Sequence, residues 1–175
     1  MGYNNDSEFI LKGRSIIEIE RKYLIPVLPE HINEYPHDSI SQAYISTNPV
    51  IRIRKKNESY ILTVKSSGLM VREETEFSIS KESYDNLQNK AEGNIIKKTR
   101  YRIPEKDGLT IELDIFEGAF EGLVMAEVEF TDINQAEDYT PPAWFGKEVT
   151  HDHHFHNSYL SLLKPGEIKA FLDRL

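Results

Sequence analysis

Apolar and charged residues alternate with a period of two through most of the chain from Ser15 onward. This alternation predicts β-strands, because successive side chains of a strand point to opposite faces. We predict eight strands, over residues 16–25, 40–46, 50–56, 59–66, 72–80, 95–103, 109–117 and 122–130. Turn-forming pairs such as Asn48-Pro49 and Asp107-Gly108 separate several of them. Short strands joined by tight turns favour an antiparallel barrel.

Helices are predicted in two places. Residues 81–91 follow Ser80, a suitable N-cap, and the chain after Asp132 is helical in short pieces interrupted by prolines. Residues 1–14 are expected to form an N-terminal arm, and residues 15–175 a single domain. The predicted fold class is α+β but mainly β, an eight-stranded antiparallel β-barrel with flanking helices.

Composition excludes several classes of protein. The 29 acidic residues outnumber the 21 basic ones, which argues against non-specific nucleic-acid binding. The absence of cysteine excludes disulfides, thiol nucleophiles and cysteine-zinc sites. No apolar run approaches the roughly 20 residues that span a bilayer, and the start does not resemble a signal peptide. We expect a cytoplasmic protein, a monomer or homodimer, without nucleic-acid or membrane partners.

The charged faces of the predicted strands are unusually pure. Basic pairs such as Arg52 and Arg54 share one face of their strand, and acidic pairs such as Glu127 and Glu129 share one face of theirs. An ordinary amphipathic sheet, with the charged face in water, explains any single strand. Across seven strands, however, the rows segregate by sign, which favours a barrel with the charged rows inside.

A charged interior needs ligands. Two like charges about 4 Å apart repel by roughly 4 kcal/mol at an effective dielectric near 20, so such a tunnel must be wet or filled. Rows of Arg and Lys suit a polyanion such as a phosphate chain. Paired carboxylates suit a hard divalent cation, Mg²⁺ or Mn²⁺. Together these features indicate metal-assisted phosphoryl transfer.

An ordered series of motifs resembles a known family. Glu18-Ile19-Glu20-Arg21-Lys22 matches the ExExK signature of the triphosphate tunnel metalloenzymes, or CYTH superfamily. The series continues with these segments: Arg52-Ile53-Arg54, Leu62-Thr63-Val64-Lys65, Glu74-Thr75-Glu76, Lys98-Thr99-Arg100-Tyr101, Glu112-Leu113-Asp114, Ala126-Glu127-Val128-Glu129-Phe130 and 144–150. The resemblance covers residues 16–160 and is closest to the short bacterial members.

The resemblance implies an eight-stranded tunnel that binds a triphosphate together with two divalent metal ions, either Mg²⁺ or Mn²⁺. Family members hydrolyse inorganic, thiamine or nucleoside triphosphates, or cyclise ATP. Short members with a Trp-Phe-Gly stretch resemble inorganic triphosphatases, in which a C-terminal plug helix closes one end of the tunnel. Here that helix is expected at residues 143–149. Trp144 and Phe145 are expected either to act as part of this plug or to be plain core residues, and in both cases to occlude the end.

Roles for individual residues also follow from the resemblance. The phosphate-binding residues would be Lys22, Arg52, Arg54, Lys65, Lys98 and Arg100. The metal-binding residues would be Glu18, Glu20 and Glu129, with Glu127 and Asp114 close by. Alternatively, these charged residues would only form a face that is solvated or ion-paired.

Some inward-facing residues have less certain roles in this interpretation. Tyr44 is expected either to hydrogen-bond Lys98, which would then orient or protonate a leaving phosphate, or simply to line the wall. Glu74, Glu76 and Glu112 face inward by parity and would orient the cations. Arg72 and Arg102 have the same parity and would lie near the tunnel mouths.

The segment 151–156 holds four histidines and an aspartate, a composition typical of zinc or nickel sites. We expect it to be a surface turn with at most adventitious affinity for metal, because the family places an Asp, a basic residue and an aromatic here. His156 has no counterpart in that pattern.

The sequence thus predicts a metal-dependent triphosphatase that acts on inorganic triphosphate, with Glu18, Glu20, Lys98 and Tyr44 in catalytic roles. Adenylate cyclase and thiamine or nucleoside triphosphatase are alternatives on the same fold. A non-catalytic polyphosphate- or nucleotide-binding module and a β-sandwich with a charged outer face are alternatives of other classes.

Overall fold

The computed structural model describes residues 14–175, with side chains from Ile17 onward. Its eight strands are β1 (Arg14–Leu24), β2 (His37–Thr47), β3 (Val50–Lys56), β4 (Ser59–Lys65), β5 (Val71–Ser78), β6 (Glu92–Pro104), β7 (Thr110–Glu117) and β8 (Val124–Glu129). They form a closed barrel in the order β1-β5-β4-β3-β2-β6-β7-β8. The predicted barrel is confirmed, and the β-sandwich is excluded. The expected arm lies outside the described residues except for Arg14, where β1 begins.

The first strand closes the barrel by pairing with two partners. Residues 14–19 of β1 pair antiparallel with β5, and residues 20–24 pair antiparallel with β8. The remaining neighbours are antiparallel too. Because no strand edge is left open along this circuit, inside and outside are distinct faces for every strand.

Within residues 14–175, four α-helices accompany the barrel: α1 (Lys81–Gln88), α2 (Ile133–Asp138), α3 (Asn157–Leu162) and α4 (Pro165–Leu172). The predicted helix 81–91 begins as expected, with the Ser80 hydroxyl accepting a hydrogen bond from the Ser83 amide at 3.1 Å, and ends three residues early. No helix in the described part of the chain is long and apolar enough to cross a membrane.

Two strands are longer than the sequence pattern predicts. β2 begins at His37 and β6 at Glu92, each three residues before the predicted start. These strands pair with each other from His37↔Tyr101 to Tyr44↔Glu92. Backbone pairing with a neighbour extends a strand beyond the residues whose side chains alternate, so periodicity alone underestimates its length.

The apolar strand faces point outward and are covered by the chain itself. A cluster including Ile19, Leu113 and Val128 packs beneath Ala136 of α2, while Ile53 and Ala43 pack against Tyr84 of α1. Part of the outer surface stays bare, since Ile17 on β1 is 66% exposed. The arrangement of apolar outside and charged inside therefore agrees with the prediction.

One end of the barrel is filled by apolar side chains, which we call the end plug. On six strands the inward-facing row changes from charged to apolar at this end, at Leu24, Tyr44, Val50, Ile96, Phe116 and Met125. These residues pack with Val149, Phe155, Leu160 and Ile168, which lie before and within α3 and α4. A C-terminal plug is thus present, and α3 provides it.

The expected position of the plug helix was wrong. Residues 143–149 form a turn and an isolated bridge between Tyr23 and Glu148, with no helix. Trp144 and Phe145 pack on the outer cluster around Tyr23, whose ring centroid lies 4.8 Å from that of Phe145. The Gly146 amide donates to the Leu24 carbonyl at 2.8 Å, which fixes the segment outside the barrel.

Helix α3 is held against β6 by a close backbone contact. Asn94 Nδ2 donates to the carbonyls of Ser161 and Leu163 at 3.1 and 2.6 Å. A Cβ at Gly93 would lie 2.2 Å from the Ser161 carbonyl oxygen, and Gly93 has φ +76°. Glycine is therefore required here both by the backbone angle and by the proximity of α3.

We predict that Gly93→Ala loosens α3 and destabilises the protein by about 2–5 kcal/mol, because a positive-φ alanine costs about 1–2 kcal/mol and an overpacked contact adds about 1–3 kcal/mol. Urea unfolding measures this loss. The matched control is Gly118→Ala, where φ is +65° but no atom lies within 4 Å. Equal losses of unfolding free energy in both variants would show that the close approach of α3 to Gly93 does not contribute.

Candidate active site

The charged rows enclose a cavity of about 230 Å³ beyond the end plug. Eight cations line it: Lys22, Arg52, Arg54, Lys56, Lys65, Arg72, Lys98 and Arg100. Seven carboxylates line it as well: Glu18, Glu20, Glu74, Glu76, Glu112, Glu127 and Glu129. All six residues predicted to bind phosphate lie in the first group. The spacing of two along each strand brings them to one interior, as the parity argument predicted.

Strand pairing gathers the carboxylates of β1 and β8. Glu20 lies opposite Glu129 and Lys22 opposite Glu127, and Glu127 also lies opposite Glu112 of β7. Four of the five residues predicted to bind metal therefore meet on one wall of the cavity.

Asp114, the fifth, is placed differently. It is fully buried, does not line the cavity, and accepts from Arg100 Nε and Nη2 at 2.6 Å and also from Lys98. The prediction that Asp114 contributes to a metal site, directly or from behind, stays a prediction. Its carboxylate orients two cations from behind the cavity wall.

The two carboxylates of the ExExK segment are held by cations. Glu18 accepts from Lys65 Nζ at 2.9 Å and from Arg72 Nε at 2.6 Å. Glu20 contacts Arg72 as well and lies 2.9 Å from Lys22 Nζ. Burial opposes ionisation of Glu18, but Lys65 and Arg72 outweigh it and hold its pKa well below the ordinary value. Arg72 thus lies in the centre of the site, where the sequence had placed it near a mouth.

The pKa values of Lys98 and Arg100 are shifted in opposite directions although both side chains donate to Asp114. Burial and the neighbouring Arg100 lower the pKa of Lys98 to about 8. Burial opposes the charge on Arg100 too, yet Asp114, Glu112 and Glu127 raise its pKa. Lys98 is therefore the lining cation that gives up a proton most readily near neutral pH, among those with resolved shifts.

Arg54 lacks a counter-ion. Among the residues whose side chains are described, none forms an ion pair or hydrogen bond with it, and its Nε is buried without a partner. Burial, Arg52 and Arg100 lower its pKa to about 10. An unpaired guanidinium beside two other cations is a favourable place for an anion, although Glu74 and Glu76 offset part of the repulsion.

Glu129 is a lining carboxylate that, like Arg54, lacks a counter-ion among the residues whose side chains are described. No cation within the described part of the chain pairs with Glu129, which lies at the open mouth among other carboxylates. Partial burial and repulsion from Glu112, Glu18 and Glu20 raise its pKa to about 7. A carboxylate whose pKa is raised by its acidic neighbours favours a bound cation.

Tyr44 does not contact Lys98 as one expectation had it. The Tyr44 hydroxyl accepts from Gln42 Nε2 at 3.0 Å, and Lys98 is held by Asp114. Tyr44 lines the cavity beside the end plug, which agrees with the alternative that it is a wall residue. At the other end, Arg102 pairs with Asp38 near the mouth.

Three residues of the site were missed by the sequence analysis. His156, Asn157 and Ser158 line the cavity at its plugged end, and among the described lining residues they alone come from outside the strands. His153 and His154 are exposed as expected, and they form with Asp152 a group that could hold a metal ion. Residues outside strands follow no parity rule, so no signal in the sequence distinguished His156 from its exposed neighbours.

Comparison with known families now adds to this geometry. The CYTH domain model matches residues 17–158, which is most of the chain. This chain belongs to the CYTH family. The matched residues contain every strand segment that carries a lining side chain, as well as His156, Asn157 and Ser158.

Two relatives of this CYTH chain are named inorganic triphosphatases. One, from Nitrosomonas europaea, is 36% identical over 151 residues, covering 85% of this chain and 99% of the relative. The other, from Acetivibrio thermocellus, is 38% identical over 112 residues, covering 63% of this chain and 70% of the relative.

Solved structures agree on the fold. The crystal structure of an inorganic triphosphatase is 36% identical, with a TM-score of 0.65 over 85% of this chain and 97% of that one. A putative adenylyl cyclase from Hippeastrum, described as having dominant triphosphatase activity, is 18% identical, with a TM-score of 0.54 over 69% of this chain and 82% of that one. The second likeness shows the shared fold alone.

The wall formed by Glu18, Glu20, Glu127 and Glu129, which we call the acidic wall, can be tested through the raised pKa of Glu129. Because the pKa in the folded state exceeds the ordinary value of 4.5, ionisation between pH 4.5 and 7 costs stability, which falls as pH rises through that window. In chelator, Glu129→Gln should therefore raise Tm at pH 8 by about 2–4 °C, corresponding to about 1 kcal/mol for a solvent-screened group. Thermal unfolding at pH 4.5 should show little difference.

The exposed Glu121 provides the matched control, because it lies away from the cavity. The same gain in Glu121→Gln would mean that overall net charge, and not the acidic wall, is responsible.

Proposed function

We propose that this chain hydrolyses inorganic triphosphate to pyrophosphate and phosphate. The observation that carries the proposal is the unpaired Arg54 facing the same cavity as the carboxylates around Glu129. A cavity with an unmatched cation on one wall and unmatched acids on another suits an anionic substrate together with metal cations. The inorganic triphosphatase relatives support the choice of substrate.

The cations would hold the phosphoryl oxygens. Arg52 and Arg54 on β3 face the cavity together with Lys65, Lys98, Arg100 and Lys22 from other strands. Planar guanidinium groups bind phosphate through paired N–H donors, and Asp114 and Thr63 fix the orientation of Arg100 and Arg52. Positioning and charge neutralisation of this kind account for most of the catalysis in phosphoryl transfer.

The acidic wall fits a hard divalent cation. Metal dependence is general in the family, and the donor set here is entirely of oxygen atoms. Glu18, Glu20, Glu127 and Glu129 would hold two ions of Mg²⁺ or Mn²⁺, and the raised pKa of Glu129 supports a need for positive charge there. When bound, the metals would neutralise phosphate charge and activate the attacking water.

Lys98 would donate or share a proton with the departing phosphate. Its ammonium is buried beside Arg100, and its pKa of about 8 lets it donate or share a proton near neutral pH. Tyr44 would line the wall, and its hydroxyl, which accepts a hydrogen bond from Gln42, can still donate one.

The plugged end favours a small substrate. At the plugged end, a nucleoside or thiamine group beyond the phosphates would meet the end plug. Helix α3, and not residues 143–149, therefore disfavours adenylate cyclase and nucleoside or thiamine triphosphatase at this end. The wall of potential metal ligands disfavours a module that only binds polyphosphate. From its composition we also propose a cytoplasmic monomer or homodimer without nucleic-acid or membrane partners.

The deciding experiment is a phosphate-release screen over inorganic triphosphate, thiamine triphosphate, ATP and longer polyphosphate, with Mg²⁺, Mn²⁺ or Ca²⁺. We expect inorganic triphosphate to give the highest kcat/KM, Mg²⁺ or Mn²⁺ to be required, and Ca²⁺ to inhibit because of its looser coordination. Full turnover in chelator, or a preference for ATP, would contradict the proposal.

Arg54→Ala should raise KM for triphosphate about 10- to 100-fold, because a hydrogen bond between charged groups contributes about 1.5–3 kcal/mol. The fold should persist, since removing an unpaired cation leaves no buried carboxylate without its partner. Steady-state kinetics and thermal unfolding measure the two effects.

Lys97→Ala is the matched control, because Lys97 neighbours Lys98 on β6 but is exposed outside the barrel. An Arg54 variant with unchanged KM would remove Arg54 from the site.

A further inference from the structure

His156 is held at the plugged end by its neighbours on both sides. Phe155 before it and Leu160 after it are buried in the end plug. Its backbone amide donates to the His153 carbonyl at 3.0 Å, and its carbonyl accepts from the Leu160 amide at 3.0 Å. The imidazole therefore has a defined position where the charged cavity meets the apolar plug.

The ring has an unused polar atom at this position. Nε2 of His156 is buried and has no hydrogen-bond partner, and Oδ1 of the adjacent Asn157 is in the same state. A buried polar atom without a partner costs about 1–3 kcal/mol, and a ligand or an ordered water can relieve that cost. Because His156 lines the cavity, the ligand would be whatever the cavity holds.

The imidazole of His156 has an N–H to donate in either protonation state. A neutral imidazole carries one N–H and can place it on Nε2 while adding no charge to a cation-rich end of the cavity. It differs in this way from every basic strand residue of the lining.

We propose that His156 is a specificity-determining residue, donating a hydrogen bond from Nε2 to an oxygen of the phosphate group that reaches the plugged end. The inference rests on the proposed function and adds to it a residue that recognises the terminal phosphate of the substrate. A phosphate chain that spans from the carboxylate wall to the plug gains this contact. A triphosphate with an organic group at one end gains it only if its free terminal phosphate points to the plug, whereas inorganic triphosphate gains it in either direction.

Binding of tripolyphosphate in chelator, measured by calorimetry, tests this without turnover. His156→Leu should weaken binding about tenfold, or about 1.4 kcal/mol, and should raise KM by a similar factor with kcat changed much less. His156→Gln, whose amide can still donate at that distance, should bind within about threefold of wild type. The shorter His156→Asn should resemble the Leu variant.

Controls keep each outcome decisive. His151→Leu replaces an exposed histidine of the same segment and should change neither binding nor KM. Wild-type affinity in both His156→Leu and His156→Asn would overturn the inference and leave the proposed function intact. If the Leu variant fails to fold, equal binding by the Gln and Asn variants would overturn it instead. A wild-type protein that neither binds nor hydrolyses tripolyphosphate would overturn the proposed function, and the inference with it.

Discussion

Charge compensation inside the barrel is the constraint on which the rest of the structure depends. Fifteen charged side chains surround one small cavity, and they coexist because eight cations face seven carboxylates. A single ionised group moved from water into a protein interior costs several kcal/mol unless it is paired. The ion pairs of Glu18, Glu20 and Arg100 supply that pairing, so the empty site is close to neutral and remains folded.

The same near-neutrality shapes what the site can bind. A polyanion alone would leave the carboxylates facing added negative charge, and metal cations alone would crowd the Arg and Lys side chains. Entering together, the two kinds of ligand can replace internal partners without a large change in net charge. The exceptions, Arg54 and Glu129, mark where each kind of ligand meets the least opposition.

Much of this site follows from the sequence because strands repeat every two residues. Arg52 and Arg54, or Glu127 and Glu129, must share a face whatever the details of packing, and closure of the barrel decides which face is inside. Outside the strands that rule ends. The position of α3 depends on contacts between distant segments, such as Asn94 with Leu163, so the plug was assigned to residues 143–149 and His156 was overlooked. Parity also cannot separate Asp114, buried behind its cations, from carboxylates that line the cavity.

The double pairing of β1 has a consequence for how the protein is made. β1 must join both β5 and β8, and the segment around Glu148 adds a further bridge to Tyr23. Contacts this distant along the chain slow folding, because loop-closure entropy is lost before any contact is gained. In a ribosome-bound chain from which β8 has not yet emerged, residues Glu20–Leu24 of β1 lack their partner strand. Assembly of the interior is therefore a late and cooperative event in biosynthesis.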